Sequence, residues 1–352
     1  MADNHIALLY DPIVLEHLQP EGHPERPARV RETYSLLEQS GILARLNRLP
    51  VTPATREQLE RVHFAAYLDS VERIVASGGG YLDAGDTFAS PGSWAAATAA
   101  AGASIGAVDA VLSGGMDSAF ALVRPPGHHA PPDRAMGFCI LNNAALAAAH
   151  ALETHGLSRV LLVDFDVHHG NGTQDTFYHS PQVLYFSTHQ SPAYPFTGAS
   201  REIGEGVGIG YTVNVPLPPD VGEAGFLSAF DTILRPLARR FQPQLVIASA
   251  GYDAHWRNSQ YVAGIRERLT VRGLTALATH LKEISDTYCP GRLVGILEGG
   301  YDLDSLAWGV LGTLRAWLGD KDIEDPLGPP QTDAVEPDIT PLLEDIKRLH
   351  GL

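Results

Sequence analysis

The chain has 352 residues, of which 44% are hydrophobic and 19% are charged, so it can bury a large core and is not a disordered polypeptide. Its formal net charge of −16 at pH 7 argues against binding to the phosphate backbone of a nucleic acid. The only two cysteines, Cys139 and Cys289, exclude a disulfide framework and favour a reducing compartment. The sequence shows neither a signal-peptide pattern nor an apolar run of transmembrane length, so we expect a cytoplasmic protein without a membrane partner.

Short apolar runs alternate with helical patterns along most of the chain, which predicts a doubly wound α/β sheet. The predicted strands are residues 6–10, 119–123, 160–163, 183–187, 212–215, 245–250 and 293–297. The predicted helices are residues 27–41, 61–76, 94–112, 142–155, 223–241, 270–285 and 304–318. A glycine-rich loop at residues 78–93 is long enough to suggest a functional role.

Two regions differ in composition. No linker interrupts the alternation of strands and helices, so residues 1–319 are predicted to form one domain. Residues 320–352 begin as an acidic, proline-rich tether and end in a short helix at residues 341–349.

Reactive side chains follow four of the predicted strands. The segment VDFDVHHGNG places Asp164, Asp166 and His168 on one side of an extended chain, because alternate residues of a strand point the same way. The other strand exits carry His128 and His129, Asp253 and His255, and Glu298 and Tyr301. Since ligands bind beyond the carboxyl ends of parallel strands, we expect these side chains to meet at one site.

Three of these residues form a suitable metal site. A catalytic zinc ion takes three nitrogen or oxygen ligands and keeps one position open, and Asp166, His168 and Asp253 satisfy that requirement. Such an ion polarises a carbonyl group and activates water near neutral pH. The alternative is a buried hydrogen-bond network without metal, which is disfavoured because unpaired buried carboxylates are rare.

The neighbouring residues indicate acid–base chemistry. His128 and His129 can both face the pocket if the backbone turns after Gly127, one as a base and the other as an acid. Tyr301 follows two glycines, in a position suited to donating a hydrogen bond to an oxyanion. A nucleophilic Cys139 is the weaker hypothesis, because its apolar neighbours favour a buried, inert thiol.

The motifs RPPGHH, GFCILNNAA, VDFDVHHGNGTQDTF, SAGYDAH and LEGGYDL occur in this order and together resemble the zinc-dependent histone deacetylase family. HPERPAR near the N-terminus resembles the class II and bacterial amidohydrolase branch. The resemblance covers residues 5–318. It implies an arginase-like three-layer α/β sandwich built on a mostly parallel eight-stranded sheet, with residues 1–319 as the catalytic domain.

The resemblance also implies roles for individual residues. The zinc ligands would be Asp166, His168 and Asp253. The catalytic residues would be His129 as general base, His128 as its electrostatic partner backed by Asp164, Asn171 orienting His129, and Tyr301 as the oxyanion donor. The substrate-binding residues would be Asp86 on the rim and Gly137, Phe138 and Tyr194 along a tunnel. The potassium ligands would be Asp164, Ser187 and the main-chain oxygens of Asp166 and His168, with a second potassium near Phe177, Val183 and Tyr211.

The chain departs from the family pattern in three places. Asn171 stands where class I members carry aspartate. Asn258, Ser259 and Gln260 replace the usual DPL stretch, and Phe196 replaces a common glycine. Tyr301 is retained, which favours a working enzyme.

We therefore predict a zinc-dependent amidohydrolase that removes acetyl or another short acyl group from acyl-lysine in a peptide or protein, with potassium as a further cofactor. One alternative is an acetylpolyamine amidohydrolase, and another is a catalytically weak module that binds acyl-lysine. A manganese ureohydrolase of related fold would need further aspartates at the strand ends.

Overall fold

The computed structural model describes residues 5–332 and 334–352. The strands in these residues are β1 (Ile6–Leu9), β2 (Asn47–Leu49), β3 (Gly80–Tyr81), β4 (Phe88–Ala89), β5 (Ser118–Ala121), β6 (Val160–Asp164), β7 (Val183–Gln190), β8 (Thr212–Leu217), β9 (Leu245–Ala250) and β10 (Leu293–Leu297). One eight-stranded sheet has the order β2-β1-β5-β10-β9-β6-β7-β8, and its neighbouring strands pair in parallel. β3 and β4 form a small antiparallel pair inside the glycine-rich loop. The predicted α/β fold with a mostly parallel eight-stranded sheet is confirmed.

Helices cover both faces of this sheet. They are α1 (Ala28–Gln39), α2 (Arg56–Leu59), α3 (Ala65–Ala76), α4 (Ser93–Leu112), α5 (Asn143–Glu153), α6 (Asn171–Phe177), α7 (Glu223–Ala229), α8 (Arg235–Phe241), α9 (Val271–Tyr288), α10 (Leu303–Leu318) and α11 (Thr340–His350). α4 and α5 pack together against the sheet, and α1, α9 and α10 form a second layer. Strands β5, β6, β9 and β10 are therefore buried along their whole length, as expected for a parallel sheet between two helical layers.

The predicted helix at residues 223–241 is interrupted by a π-helical turn at Phe230–Leu234. Pro236 has no N–H to donate and its ring collides with the carbonyl four residues earlier in a regular α-helix. The π turn shifts the hydrogen bonding by one residue, so that Arg235 N–H donates to the Phe230 carbonyl and the helical path continues into α8.

The predicted helix at residues 61–76 begins later, at Ala65. The N–H groups of residues 61–63 donate to the Gln58 and Leu59 carbonyls and so continue the preceding short helix as a turn, and two further bonds tie the segment to a distant part of the chain. His63 Nε2 accepts from the Asn142 N–H (2.9 Å), and the Phe64 N–H donates to the Pro132 carbonyl (2.9 Å).

α4 is long and apolar enough to cross a membrane by length and composition, so the expectation that no apolar run reaches that length is wrong. However, 78% of its most apolar stretch is buried inside the protein. A Cβ atom at Gly102 would lie 2.0 Å from the Thr52 carbonyl oxygen, which shows how closely the chain packs there. α4 is thus a core helix of the α/β fold.

The described part of residues 320–352 packs against the α/β fold formed by the preceding residues. Arg268 donates to the Ala334 carbonyl (2.7 Å), and Glu336 accepts from the Gly225 N–H in the first turn of α7 (2.7 Å). α11 packs against β8 and the π turn. The apolar side chains that this segment buries are Ile339, Leu343 and Ile346.

Candidate active site

The carboxyl ends of β5, β10, β9 and β6 meet at the middle of the sheet, because these strands are neighbours. The side chains that follow them are His128 and His129 after β5, Tyr301 after β10, Asp253 after β9, and Asp166 and His168 after β6. Each is at most 6% exposed. The structure therefore brings together the catalytic and metal-ligating residues expected from the sequence.

Asp166, His168 and Asp253 converge on one point. His168 Nδ1 lies 3.1 Å from Asp166 Oδ1 and 3.1 Å from Asp253 Oδ2. The candidate ligand atoms of all three residues lie within 4.8 Å of one another. Two carboxylate oxygens and one imidazole nitrogen form a donor set that suits a catalytic zinc ion.

Backbone amides fix the two carboxylates in this orientation. Asp166 accepts from the Gly299 N–H (2.8 Å), and Asp253 accepts from the Val167 N–H (2.9 Å). A Cβ at Gly299 would lie 2.4 Å from both Asp166 Oδ2 and Asp253 Oδ2, and one at Gly251 would lie 2.1 Å from Asp166 Oδ2. Glycine at both strand ends is therefore a steric requirement of the site.

The electrostatics of this group also fit a cation. Burial and the Asp166 carboxylate raise the pKa of Asp253. Burial lowers the pKa of His168, but Asp166 and Asp253 outweigh it and raise the pKa to about 9. Two carboxylates buried away from water need a positive charge beside them. A metal ion that displaces the His168 proton would supply that charge to both carboxylates.

The adjacent histidines have different partners. His128 Nδ1 lies 3.1 Å from Asp164 Oδ2, whereas His129 Nδ1 lies 2.9 Å from Asn171 Oδ1. Burial lowers the pKa of His128, but the Asp164 and Asp166 carboxylates outweigh it and raise the pKa to about 10. Burial and the neighbouring His128 instead hold the pKa of His129 well below its usual range.

The orientation of Asn171 defines the tautomer of His129. Asn171 Nδ2 donates to the His129 carbonyl (3.3 Å) and faces Met136 Sδ (3.3 Å), which leaves Oδ1 toward the imidazole. His129 Nδ1 therefore carries the hydrogen and donates it to Asn171. The Nε2 atom of a neutral His129 is left as a proton acceptor, which is the arrangement required of a general base.

Aromatic side chains line the approach to these histidines. Tyr194 meets His129 edge-on, with ring centroids 5.2 Å apart, and Phe138 meets Tyr301 edge-on at 5.8 Å. A Cβ at Gly137 would lie 2.5 Å from His129 Cδ2, so only glycine fits between these groups. Asp86 is exposed in the glycine-rich loop, where its carbonyl accepts from His23 Nε2 (3.1 Å). Gly137, Phe138 and Tyr194, which are predicted to contact substrate, thus lie directly beside His129 and Tyr301.

A buried ionic cluster lies behind Tyr301. Arg29 donates to the carbonyl oxygens of Gly300 (2.6 Å) and Glu298, and its guanidinium lies 5.0 Å from the centre of the Tyr301 ring. Glu25 accepts from Arg29 (3.1 Å) and from Arg124 (2.9 and 2.8 Å). This cluster holds the turn that carries Tyr301.

The residues implied as potassium ligands lie in two places. Asp164 and Ser187 are paired across β6 and β7, at the strand end that leads to the candidate metal ligands Asp166 and His168. Phe177 ends α6, Val183 begins β7 and Tyr211 precedes β8, so these three belong to the opposite end of the strands.

Sequence reasoning missed several supporting contacts. Tyr185, which was not expected at the site, donates to Asp164 (3.1 Å). Glu298 was expected at the strand ends, but not its supporting role: it accepts from the backbone N–H groups of Gly127 (2.6 Å) and His128 (3.1 Å). The HPERPAR and RPPGHH motifs contain Glu25, Arg29 and Arg124, but no local pattern shows that these charges pair across the fold.

Cys139 is completely buried, and burial raises the pKa of its thiol well above the usual value. A protonated, inaccessible thiol is a poor nucleophile, which disfavours Cys139 as a catalytic residue.

Comparison with known proteins shows the family. The histone deacetylase domain matches residues 23–317. Histone deacetylase 10, chloroplastic, of Oryza sativa subsp. japonica is 37% identical in an alignment 370 residues long. This alignment covers 100% of this chain and 82% of that protein. The polyamine deacetylase HDAC10 of Homo sapiens is 39% identical over 328 residues, which cover 89% of this chain and 48% of that protein.

A solved structure agrees over the same length. The crystal structure of the HDA15 HD domain matches with a TM-score of 0.87 and 34% identity, over 99% of this chain and 94% of that chain. The sequence match spans the strand ends that build the site, and the structural match spans nearly the whole fold. This chain therefore belongs to the histone deacetylase family.

Proposed function

We propose that this protein is a zinc-dependent deacylase that removes an acetyl or another short acyl group from the ε-nitrogen of lysine. The observation that carries the proposal is the convergence of Asp166, His168 and Asp253 beside His129, whose Nε2 is available to accept a proton. Membership of a deacetylase family supports the reaction class.

The chemistry that zinc supplies when bound is polarisation of the amide carbonyl and activation of a water molecule. His129 Nε2 takes a proton from that water as the new carbon–oxygen bond forms, and gives a proton to the leaving nitrogen as the carbon–nitrogen bond breaks. Tyr301 donates a hydrogen bond to the carbonyl oxygen as negative charge develops on it. The products are a free amine and a carboxylate.

The side chains beside His129 and Tyr301 support a substrate with a slim, unbranched stem. Gly137 leaves no room beside His129 for another side chain, and Phe138 and Tyr194 offer flat apolar walls. Asp86 on the rim supplies carboxylate oxygens that can accept hydrogen bonds from the backbone amides of a peptide substrate.

We also propose potassium as a structural cofactor near Asp164 and Ser187, whose side chains are adjacent in the sheet register. A monovalent cation there would offset the Asp164 charge behind His128. Activity measured in KCl should exceed activity in the same concentration of a tetramethylammonium salt. Equal activity would remove potassium from the proposal.

An acetylpolyamine is the second candidate substrate, because it presents the same acylated amine on a slim stem and a human relative is named a polyamine deacetylase. A third candidate function is that of a module that binds acyl-lysine without catalysis. The test is a panel of acyl-lysine peptides and acetylated polyamines assayed side by side, with free amine quantified. Turnover of peptides alone supports the main proposal, turnover of polyamines alone replaces its substrate, and binding without turnover supports the module.

Two variants test the chemistry. Asp253→Ala should lose both bound zinc and activity, measured by elemental analysis and by the same assay.

Tyr301→Phe should lower kcat by about 10² to 10³ while KM and zinc content stay nearly unchanged, because it removes a contact made only in the transition state. Full metal content in the first variant, or full activity in the second, would contradict the proposed site.

A further inference from the structure

Asn258 occupies an unusual position for a loop residue. It lies in the 3₁₀ segment Trp256–Gln260 that follows β9, five residues beyond Asp253. Its side chain is fully buried, although the next two residues, Ser259 and Gln260, are exposed. A buried amide must find partners for its donors and its acceptor, so its contacts indicate what it does.

Both ends of the Asn258 amide are used. Oδ1 accepts from two consecutive backbone amides, the Tyr301 N–H (2.7 Å) and the Asp302 N–H (3.0 Å). Nδ2 donates to the Tyr252 carbonyl (3.1 Å) and to Ser305 Oγ (3.2 Å). These contacts join the strand end that carries Asp253 to the turn that carries Tyr301.

The same turn is held from its other side by Arg29. The peptide unit between Gly300 and Tyr301 has its carbonyl oxygen bonded to Arg29 Nε (2.6 Å) and its N–H bonded to Asn258 Oδ1. Gly300 itself has a φ of 120°, a conformation that L side chains rarely adopt. The plane of this peptide is therefore fixed at both ends, next to a residue whose own backbone is permissive.

Fixing this plane sets the direction in which the Tyr301 side chain leaves the backbone. Tyr301 is 5% exposed, and its ring packs against Phe138 and Arg29. Because the hydroxyl group lies at the far end of this side chain, a small rotation of the peptide would displace it within the site. Misplacement of a transition-state donor by about 1 Å is enough to lower a rate by about 10².

We propose that Asn258 is a positioning residue that holds Tyr301 in its catalytic orientation. The inference rests on the proposed function, because it assigns the hydroxyl group of Tyr301 to the transition state. It also gives a role to a position at which the chain departs from the usual DPL stretch. Asparagine can accept from the Tyr301 turn and donate to the Tyr252 carbonyl at once, which a carboxylate cannot do.

A double-mutant cycle separates positioning from simple structural support. Asn258→Ala should lower kcat about tenfold or more in the natural background, with KM and zinc content nearly unchanged. In the Tyr301→Phe background the same change should lower kcat less than about twofold, because the donor that it misplaces is already absent. Loss of unfolding free energy, measured in urea, should be similar in both backgrounds.

Ser259→Ala is the matched control, since it changes the next side chain of the same turn, and the Ser259 hydroxyl donates to the Trp256 carbonyl within that turn (3.0 Å). It should leave kcat unchanged. If Asn258→Ala does not fold, the same cycle is run with Asn258→Leu, which keeps the size and branching of the side chain but removes the acceptor that holds the Tyr301 N–H.

An equal loss of kcat in both backgrounds would overturn the inference and leave the proposed function intact. Tyr301→Phe with unchanged kcat would overturn the proposed role of Tyr301 and, with it, this inference. The two failures are therefore distinguishable within one set of four proteins.

Discussion

At the scale of single residues, the two adjacent histidines differ in what accepts their Nδ1 hydrogen. His128 faces a carboxylate and His129 faces an amide, at distances of 3.1 and 2.9 Å. A carboxylate stabilises the charged imidazolium, whereas an amide orients the ring without adding charge. The pair thus contains one histidine suited to remaining charged and one suited to accepting a proton.

Asn171→Asp should make His129 a weaker catalyst at low pH. The pKa of His129 lies well below its usual range because of burial and the nearby His128. A carboxylate at position 171 would favour the charged form of His129 and raise its pKa. Since a general base must be neutral, the acid limb of kcat/KM should move to higher pH.

The measurement is the pH dependence of kcat/KM for the natural protein and the variant, with metal content checked at each pH. An acid limb that does not move, in a variant that keeps its activity at high pH, would show that His129 is not the base. A fall in activity at all pH values without a shift would indicate that the variant has lost geometry instead.

At the scale of secondary-structure elements, the ends of the central strands determine the site. The buried strands, their order in the chain and the side chains after them could be predicted, because a parallel sheet buries continuous apolar runs and gathers their carboxyl ends. The interruption of the helix at Phe230–Leu234 could not, since it depends on how Pro236 is accommodated in an otherwise regular pattern. The supporting charges were also missed, because Arg29 and its partner Gly300 are 271 residues apart.

Gly299→Ala tests the steric requirement at the end of β10. The added Cβ would lie 2.4 Å from the Oδ2 atoms of Asp166 and Asp253, and both side chains are fully buried and cannot move into solvent. We expect loss of bound zinc and of activity. Gly115→Ala is the control, because nothing lies within 4 Å of its Cβ position. Zinc content measured by elemental analysis should fall only in the first variant, and a full complement there would contradict the close approach.

The Glu25 cluster links the start of α1 to the strand ends. Burial favours protonation of Glu25, but Arg124 and His17 outweigh it and hold the pKa well below its usual range. Glu25→Gln should destabilise the fold by about 3 to 5 kcal/mol at pH 7, because it leaves two buried arginines without their carboxylate. Glu283→Gln is the control, since that carboxylate is half exposed and such surface pairs contribute about 0 to 1 kcal/mol.

The pH dependence of that difference follows from the lowered pKa. The stability that Glu25 contributes is fully present above its unfolded pKa of about 4.3 and is lost as the pH falls below this value through the folded pKa. Urea unfolding of the natural protein and Glu25→Gln should therefore converge as the pH is lowered below about 4. A constant difference from pH 7 downward would show that the charge of Glu25 is not what stabilises the cluster.

At the scale of the whole molecule, the described part of residues 320–352 is packed against the domain that precedes it. Ile339, Leu343 and Ile346 bury apolar side chains, and the Arg268–Ala334 contact ties this segment to the loop after β9. That loop also carries Asn258. The C-terminal residues therefore pack against the loop that holds the Tyr301 turn, far in sequence from the candidate metal ligands Asp166 and His168.

The net charge of −16 should act on substrates before they bind. A negative protein attracts cationic molecules over a distance of about 10 Å at an ionic strength of 0.1 M, and added salt screens this attraction. We expect kcat/KM for an acetylated polyamine or a lysine-rich acetylated peptide to fall steeply as salt rises. A terminally blocked acetyl-lysine derivative with no net charge should show little change, because steering requires charge on both partners. The salt is varied as NaCl at fixed KCl, so that any potassium requirement stays satisfied while the ionic strength changes. If kcat/KM fell equally with salt for charged and neutral substrates, the acidic surface would contribute to solubility and not to the choice of substrate.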